Sequence, residues 1–472
     1  MTMVPRRVRH ATRFSLCAAL ACATVAGCNV DTPLPQLRAD VPAKWRHAPA
    51  ETVNSSVPAP NLDSWWRAFG DTQLNALMQH ALAQNLTLQQ AQLRLRAARA
   101  LQQRSGTQFK PQANFRTFSQ PDPAGSTSYY EIGFDAEWEF GFFGRSLGNA
   151  RVADANLQAA ATDVAAARVS VVAEVARAYL DLRAAQARAN VLDRIVALRR
   201  SQQKRGRVQL RLHQVSQAHV EELDVAFSQA KAQADAPVLQ TVLAQQALTV
   251  LLAETQPDAT LQSSGPLPAA PDATFVQTPA NLLRTRPEIR HAELEVLRAA
   301  GNLGIAKADL YPKLSLGGTL ISSTRVIGDI DHPNKAILSI GPLVDLPLFD
   351  WGARRDVVDA DDAALQGAVL GYRQAVIEGV AEVETALARW QGARRQLAGA
   401  DTLADMTTVS ATRAHKLQTI GLADANDSAD ADIASAQAQL QRIDAQHAAG
   451  IAYIALYKAL GGTLPPLRMA RH

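Results

Sequence analysis

Residues 129–140 read Tyr-Tyr-Glu-Ile-Gly-Phe-Asp-Ala-Glu-Trp-Glu-Phe, and apolar and polar side chains alternate through the stretch. One parity is apolar and consists of Tyr130, Ile132, Phe134, Ala136, Trp138 and Phe140. The other parity carries four carboxylates: Glu131, Asp135, Glu137 and Glu139. Because successive side chains of a β-strand point to opposite faces, the pattern predicts a strand with one apolar and one acidic face. Such a strand is typical of a transmembrane β-sheet, but an amphipathic sheet in water would show the same alternation.

Three further stretches are predicted to be strands. Residues 313–322 and 336–348 alternate in the same way, although Pro342 suggests a bulge or bend in the second. Residues 112–119 alternate poorly and are predicted mainly by symmetry with the second pair. Four strands cannot close a barrel, and open sheet edges are not tolerated in hydrocarbon. Several chains must therefore combine, with eight strands from a dimer or twelve from a trimer, and the wider barrel leaves room for a water-filled lumen.

The chain from residue 61 onward repeats one order of elements, which predicts an internal two-fold repeat. Each half has a helix, two strands, a very long helix and a returning helix. The first repeat, 61–255, has predicted helices at 71–104, 145–205 and 219–254, with a break near Gly206 to Ser216. The second repeat, 278–462, has them at 287–308, 353–419 and 425–460. A linker, 256–277, joins the repeats, and residues 463–472 form a tail. The predicted fold is therefore mostly α with a membrane β-barrel shared between chains.

The first 27 residues have the composition of a secretory signal peptide. The run from Phe14 to Val25 is apolar but too short to be a transmembrane helix. It follows a segment without acids that contains Arg6, Arg7, Arg9 and Arg13. We therefore expect residues 1–27 to be removed on export.

Cys28 follows the small residues Val25-Ala26-Gly27, which look like a bacterial lipobox. A lipid on the Cys28 sulfur would anchor the chain, at ~0.8 kcal/mol per buried methylene. The alternative is an ordinary signal peptide cleaved nearby, with Cys28 a free thiol. Residues 28–60 would form the lipid anchor and an extended, proline-rich tether.

The charge balance argues against nucleic acid as a partner. The 472 residues include 48 basic and 44 acidic side chains, and the four leader arginines account for the whole excess. The pI of about 9.0 therefore reflects the leader and not a basic surface. All 3 cysteines lie within the first 28 residues, so no disulfide, thiolate metal site or cofactor other than the lipid is expected.

Four motifs resemble the outer-membrane factor family of Gram-negative efflux channels, the TolC and OprM type. They are Trp-Trp-Arg-Ala-Phe-Gly-Asp at 65–71, Leu-Arg-Thr-Arg-Pro-Glu-Ile at 283–289, Tyr-Pro-Lys-Leu-Ser-Leu at 311–316, and Leu-Pro-Leu-Phe-Asp-Trp-Gly at 346–352. The chain is most similar to the NodT-like lipoprotein branch, which serves resistance-nodulation-division (RND) pumps. Bacterial lipoproteins that stay in the inner membrane usually carry Asp directly after the lipidated cysteine. This chain has Asn29 there, so the resemblance implies transfer to the outer membrane.

The resemblance implies a homotrimer with a twelve-stranded barrel in the outer membrane and a helical barrel that extends into the periplasm. It implies a passive duct without catalytic residues, whose partners are outer-membrane lipid, a periplasmic adaptor (membrane fusion) protein and an inner-membrane RND-type pump. Two alternatives remain open: a periplasmic coiled-coil structural or adaptor lipoprotein without a pore, and an outer-membrane duct for type I protein secretion.

The resemblance also implies candidate site residues. Asp427 and Asp430 correspond to aspartates that narrow the periplasmic tip, although an acidic helix start would favour Asp there without a gate. Arg205, Arg207 and Arg211 are candidate ion-pair partners for these acids. If Glu131, Asp135, Glu137 and Glu139 face inward, they line the pore and favour cations.

Overall fold

A computed structural model describes residues 32–38, 41–47, 62, 64–120, 128–271, 286–327, 330–333 and 336–461 of the chain. The predicted signal peptide 1–27, the lipidation site Cys28, much of the tether and the predicted tail 463–472 lie outside the described residues.

The described residues form seven α-helices and five strands. The helices are α1 (Thr72–Gln84), α2 (Leu86–Ser105), α3 (Arg145–Arg211), α4 (Gln217–Leu251), α5 (Pro287–Ala308), α6 (Ala353–Thr419) and α7 (Ala425–Ala459). The strands are β1 (Gln112–Gln120), β2 (Ser128–Glu139), β3 (Lys313–Ile327), β4 (Ile330–Pro333) and β5 (Ile337–Asp345). Short 3-10 helices occur at Trp65–Phe69 and Ala259–Leu261.

The internal repeat is confirmed by the lengths of the helices. α3 and α6 have 67 residues each, and α4 and α7 have 35 residues each. The repeat extends to unusual backbone positions, because Phe143 and Trp351 both have positive φ, at 58° and 60°, and each precedes a glycine of positive φ. A left-handed conformation is uncommon for a bulky side chain, so the two long helices begin through the same specialised turn.

The chain divides into two compact units that cut across the repeats. One unit comprises Met1–Arg38, Arg94–Ala160 and His291–Gln374 and contains all five described strands. The other comprises Ala39–Leu93, Ala161–Arg290 and Ala375–His472 and contains no strand among its described residues.

The strands form one antiparallel sheet in which β2 joins β1 to β3, and both β4 and β5 pair with β3. The register places apolar partners in one row across the sheet: Phe115, Phe134, Leu320 and Leu338. The next row is polar and consists of Asn114, Asp135, Thr319 and Ser339. The parity inferred for residues 129–140, 313–322 and 336–348 therefore agrees with the observed pairing.

The predicted strand 336–348 is wrong in its extent. Two strands, β4 and β5, return along β3, which itself runs to Ile327. Pro333 pairs with Thr324 but Ile337 pairs with Ile321, so the returning chain has one residue more than β3 between these points. The expected interruption at Pro342 does not occur, because β5 lies at an edge of the described sheet, where a proline is tolerated.

The single helix predicted for 71–104 is broken at Asn85. The side chain of Asn85 accepts a hydrogen bond from the backbone N–H of Leu88 at 3.0 Å and donates one to the carbonyl of Leu251 at 2.9 Å. The first contact caps α2, and the second holds the break against the end of α4. An asparagine side chain readily forms such hydrogen bonds with the backbone. The apolar periodicity continues across residue 85, so it does not reveal this helix boundary.

The predicted break near Gly206 to Ser216 is confirmed but begins later, because α3 continues to Arg211 and α4 begins at Gln217. Gly206 lies inside α3, where an added Cβ would approach Leu223 Cδ1 to 2.4 Å, so this glycine allows α3 and α4 to pack closely. The turn after α3 instead uses His213, whose φ is 59°, while the turn after α6 uses Gly421, whose φ is 77°. A histidine thus takes the left-handed position that usually favours glycine.

The described tether segment 41–47 docks on α6 through Glu384. Its carboxylate accepts the backbone N–H groups of Arg46 and His47, at 2.7 and 3.1 Å, and lies 2.7 Å from His47 Nδ1. Burial alone would raise the pKa of Glu384, but these hydrogen bonds outweigh it and hold the pKa below its ordinary value. The stability that the Glu384 carboxylate adds to the folded state is therefore fully present above its pKa in the unfolded chain. This stability is lost as the pH falls through its pKa in the folded chain.

We expect Glu384→Ala to release this segment at neutral pH. Hydrogen bonds to charged groups are each worth about 1.5–3 kcal/mol, so trypsin should cleave after Arg46 roughly ten-fold faster than in the parent protein. Glu221→Ala, which removes an exposed carboxylate from α4, is the control and should leave the rate unchanged. Equal cleavage rates in all three proteins would show that Glu384 does not hold the segment.

Candidate functional site at the sheet and the helix tips

The four predicted pore residues lie on one face of the sheet, here called the carboxylate face. By register, Asp135 lies between Asn114 and Thr319, and Glu137 lies between Gln112 and Gly317. Glu131 and Glu139 have the same parity. The face is therefore polar across the neighbouring strands at Asp135, whereas the apolar Phe118 lies opposite Glu131.

Two of the four carboxylates are paired. Asp135 Oδ2 lies 3.3 Å from Arg116 Nε, and Glu139 Oε1 lies 3.5 Å from Arg145 Nε. Within the described residues no ion pair is found for Glu131 or Glu137. The sequence reasoning missed two bases that share this face by register, Arg116 and Lys313. Their parity in the strands was the available signal, and they reduce the acidic excess that the carboxylates alone suggest.

The opposite, apolar face of the sheet is exposed. Phe134, Leu338 and Ile340 have exposed fractions of 55, 67 and 68%. No helix among the described residues packs on this face. Contiguous exposed apolar surface of this kind marks a contact with lipid or with another chain.

Aromatic side chains cluster where β2 ends and where the chain enters β3. The Trp138 and Phe140 rings lie 4.8 Å apart between centroids and are tilted by 57°, and Trp138 donates its Nε1–H to the carbonyl of Phe109 at 2.9 Å. Phe143 and Tyr311 are stacked at 5.0 Å. Aromatic girdles with this combination of apolar rings and satisfied polar groups are typical of the membrane–water interface.

The two predicted gate residues have different roles at the start of α7. Asp427 Oδ2 accepts the backbone N–H of Asp424 at 3.0 Å, and Asp424 Oδ1 accepts that of Asp427 at 2.8 Å. This is a capping box, which the local sequence produces without reference to any other helix. Asp427 therefore has the role of the acidic helix start that the sequence left open as an alternative.

Asp430 instead connects α7 to α3. Its Oδ1 accepts a hydrogen bond from Gln202 Nε2 at 2.8 Å and lies 3.6 Å from Arg199 Nη1. On the same pair of helices, Arg205 donates to Asn426 Oδ1 at 3.1 Å and to the carbonyl of Ala425 at 3.2 Å. These four side chains, Asp430, Gln202, Arg199 and Arg205, are here called the α3–α7 tie.

The expectation that Arg205 and Arg207 form ion pairs with Asp427 or Asp430 is wrong. Arg205 contacts α7 but binds an amide and a carbonyl, not an aspartate. Arg207 pairs with Asp224 of α4 at 3.1 Å. A hydrogen bond from Gln203, together with Arg207, lowers the pKa of the exposed Asp224 carboxyl. Arg199, which sequence reasoning missed, is the arginine near Asp430, because the rotation of α3 against α7 cannot be read from spacing alone.

A second contact links α6 to α7 at the same end. The His415 ring Nε2 lies 2.9 Å from Asp432 Oδ2. Asp432 was expected only to flank the gate pair, yet it contacts α6 through His415.

Neither a membrane-spanning helix nor a metal cluster is found in the described ranges. No helix there is both long and apolar enough to cross a bilayer. Likewise, no group of three or more His, Cys, Asp or Glu side chains in those ranges is placed to hold a metal ion.

Comparisons with known proteins place the chain among efflux channels. Residues 77–254 and 278–462 match the family described as "Outer membrane efflux protein". Nodulation protein T of Rhizobium leguminosarum bv. viciae is 27% identical over 72% of this chain and 74% of its own. The cation efflux system protein CusC of Escherichia coli K12 is 25% identical over 94% of this chain and 98% of its own. The solved outer-membrane channel OprN superposes with a TM-score of 0.76 at 25% identity, covering 92% of this chain and all of that one.

The chain belongs to the outer membrane efflux protein family. It is an outer-membrane channel protein of the efflux type, as the resemblance in sequence had implied. The two matched segments also coincide with the two structural repeats, since each ends with a 35-residue returning helix.

Proposed function

We propose that three copies of the chain form a passive duct through the outer membrane. The observation that carries the proposal is the sheet of the described residues, which is exposed on both faces. Its outer strands, β1 and β5, each pair with a single neighbour in the sheet. Backbone groups at open edges are costly in hydrocarbon, and pairing β1 of one copy with the returning strand of the next would satisfy them. If β4 and β5 are counted as one returning strand, each copy has four strands and three copies would supply a twelve-stranded barrel.

In this barrel the carboxylate face lines the lumen, and the apolar face contacts lipid. Glu131, Asp135, Glu137 and Glu139 would then lie along the water-filled path. Water in the lumen would solvate the charged side chains of the carboxylate face. Burial of the exposed Phe134, Leu338 and Ile340 among acyl chains would be favourable. The aromatic cluster around Trp138 would lie at one membrane interface.

The energy for transport is proposed to come from a partner pump and not from this chain. The chain would dock to a periplasmic adaptor and an inner-membrane pump of the RND type, and it would carry out no catalytic step itself. Small molecules such as drugs or other toxic compounds, delivered by the pump, are the expected cargo. The lipid on Cys28 would add an anchor in the outer membrane.

At the periplasmic tip, the α3–α7 tie is proposed to hold the channel closed. Asp430 is the gate residue of this proposal, since it connects two helices whose separation would widen the tip. Asp427 contributes mainly by capping α7.

The trimer is tested by cross-linking between edge strands. All cysteines lie within the first 28 residues, so single cysteines elsewhere can be labelled cleanly. A chain with Asn114→Cys in β1 and Ser339→Cys in β5, two residues on the same face of the sheet, should give a three-subunit band with a short bis-maleimide in outer membranes. The Asn114→Cys single variant is the control and should give no such ladder. If the double variant stays monomeric although both thiols react with a monofunctional maleimide, the shared barrel is refuted.

A further inference from the structure

Arg116 occupies a special position on the carboxylate face. Its cross-strand partner in β2 is Gly133, which has no side chain. The guanidinium can therefore cross the empty position and reach the next carboxylate on β2, Asp135, at 3.3 Å. Diagonal contacts of this length are within the range of long side chains on paired strands.

The Arg116–Asp135 pair contributes little to stability. The Arg116 side chain is 74% exposed and that of Asp135 is 26% exposed. Solvent and salt screen exposed ion pairs, so folding does not require this one. Its effect is on the charge of the face, because it cancels one of the four carboxylates.

The pair borders open space. A shallow cavity of about 360 Å³ lies on this face beside Arg116, Asp135 and Glu137, and its floor includes Gly317 and Gly341. A passing ion would meet these three charged groups here, beside the neutral polar side chains of Asn114, Thr319 and Ser339.

We propose that Arg116 limits the cation selectivity of the channel by neutralising Asp135 on the carboxylate face. The proposal rests on the proposed function, in which this face lines the lumen. Three copies would place three such pairs around the axis. The pore would then carry less negative charge at this level than its carboxylates alone suggest.

The sign of two opposite substitutions tests the proposal. In lipid bilayers with a KCl gradient, Arg116→Gln leaves Asp135 uncompensated and should raise the potassium-to-chloride permeability ratio about two-fold in ~0.1 M salt. Asp135→Asn leaves Arg116 uncompensated and should lower the ratio. The double variant should return to the parent value. All shifts should shrink in 1 M salt, where the Debye length is about 3 Å, and a purely structural defect would not follow this pattern.

Two further variants distinguish a failure of the Arg116 proposal from a failure of the lumen assignment. Arg298→Gln removes an exposed arginine that pairs with Glu295 of its own helix, and it should leave the ratio unchanged. Glu131→Gln with Glu137→Gln tests whether the face lines the pore at all. If this last variant lowers the ratio but Arg116→Gln has no effect, the role of Arg116 is refuted and the lumen assignment stands. If neither changes the ratio in a conducting channel, the lumen assignment and with it this proposal are wrong.

Discussion

Removing the α3–α7 tie should open the channel. In a chain with Asp430→Ala and Arg205→Ala, α7 loses its hydrogen bonds from Gln202 and Arg205 and the nearby charge of Arg199. Hydrogen bonds of this kind are worth about 0.5–3 kcal/mol each, depending on charge. A loss of only ~1.4 kcal/mol shifts a two-state equilibrium ten-fold, so mean conductance in bilayers should rise about ten-fold.

The matched control breaks contacts of α3 with a different helix, α4. Asp224→Ala removes the contacts of Arg207 and Gln203 between α3 and α4 and leaves the tie intact. Its conductance should equal that of the parent. Asp427→Ala should cost only about 1 kcal/mol of local helix stability through the lost cap. If the double variant at Asp430 and Arg205 has the conductance of the parent, the gating role of Asp430 is refuted. The acids would then only stabilise the start of α7.

Replacing Arg286 with alanine should cause the largest loss of stability. Arg286, the arginine of the Arg-Pro-Glu-Ile motif, has a side chain only 6% exposed at the start of α5. It donates to the carbonyl of Gly379 at 3.1 Å, lies 3.3 Å from Glu288 Oε2 and pairs with Glu382. Removing one partner of a buried, hydrogen-bonded charge costs about 3–5 kcal/mol, and the half-exposed Glu382 brings the expected loss to about 2–4 kcal/mol.

The loss can be measured by denaturant unfolding of the detergent-extracted protein, together with the amount of protein in outer membranes. Arg354→Ala removes an exposed ion pair with Asp350 and should cost ~0.5 kcal/mol or less. Arg286→Lys keeps the charge but cannot reach all three acceptors. Its loss of stability should therefore fall between those of Arg286→Ala and Arg354→Ala. A loss below about 1 kcal/mol for Arg286→Ala would show that the motif arginine is not a structural anchor.

The predictable parts of this chain are those decided by local periodicity. The parity of residues 129–140 correctly identified the carboxylate face, and the predicted bounds of α5 and α6 agree with the structure. The chain repeats its own pattern, so each half supports the interpretation of the other. Family resemblance then supplied the class of protein.

The errors arose where one side chain acts on a distant part of the chain. Asn85 ends one helix and contacts Leu251, 166 residues further on, which no local pattern encodes. Gly206 appeared to be a helix breaker, but it permits close packing against Leu223. The partners of Asp430 depend on how two long helices are rotated against each other. Poor alternation in β1 hid the position of Arg116 opposite Gly133.

The central claim is that copies of this chain enclose a pore. The most direct test is electron microscopy of the detergent-extracted mature protein, averaged without imposed symmetry. The account predicts a three-fold particle that is hollow along its axis. A solid rod, or a small particle of one subunit, would contradict it, because the strands would then form no pore.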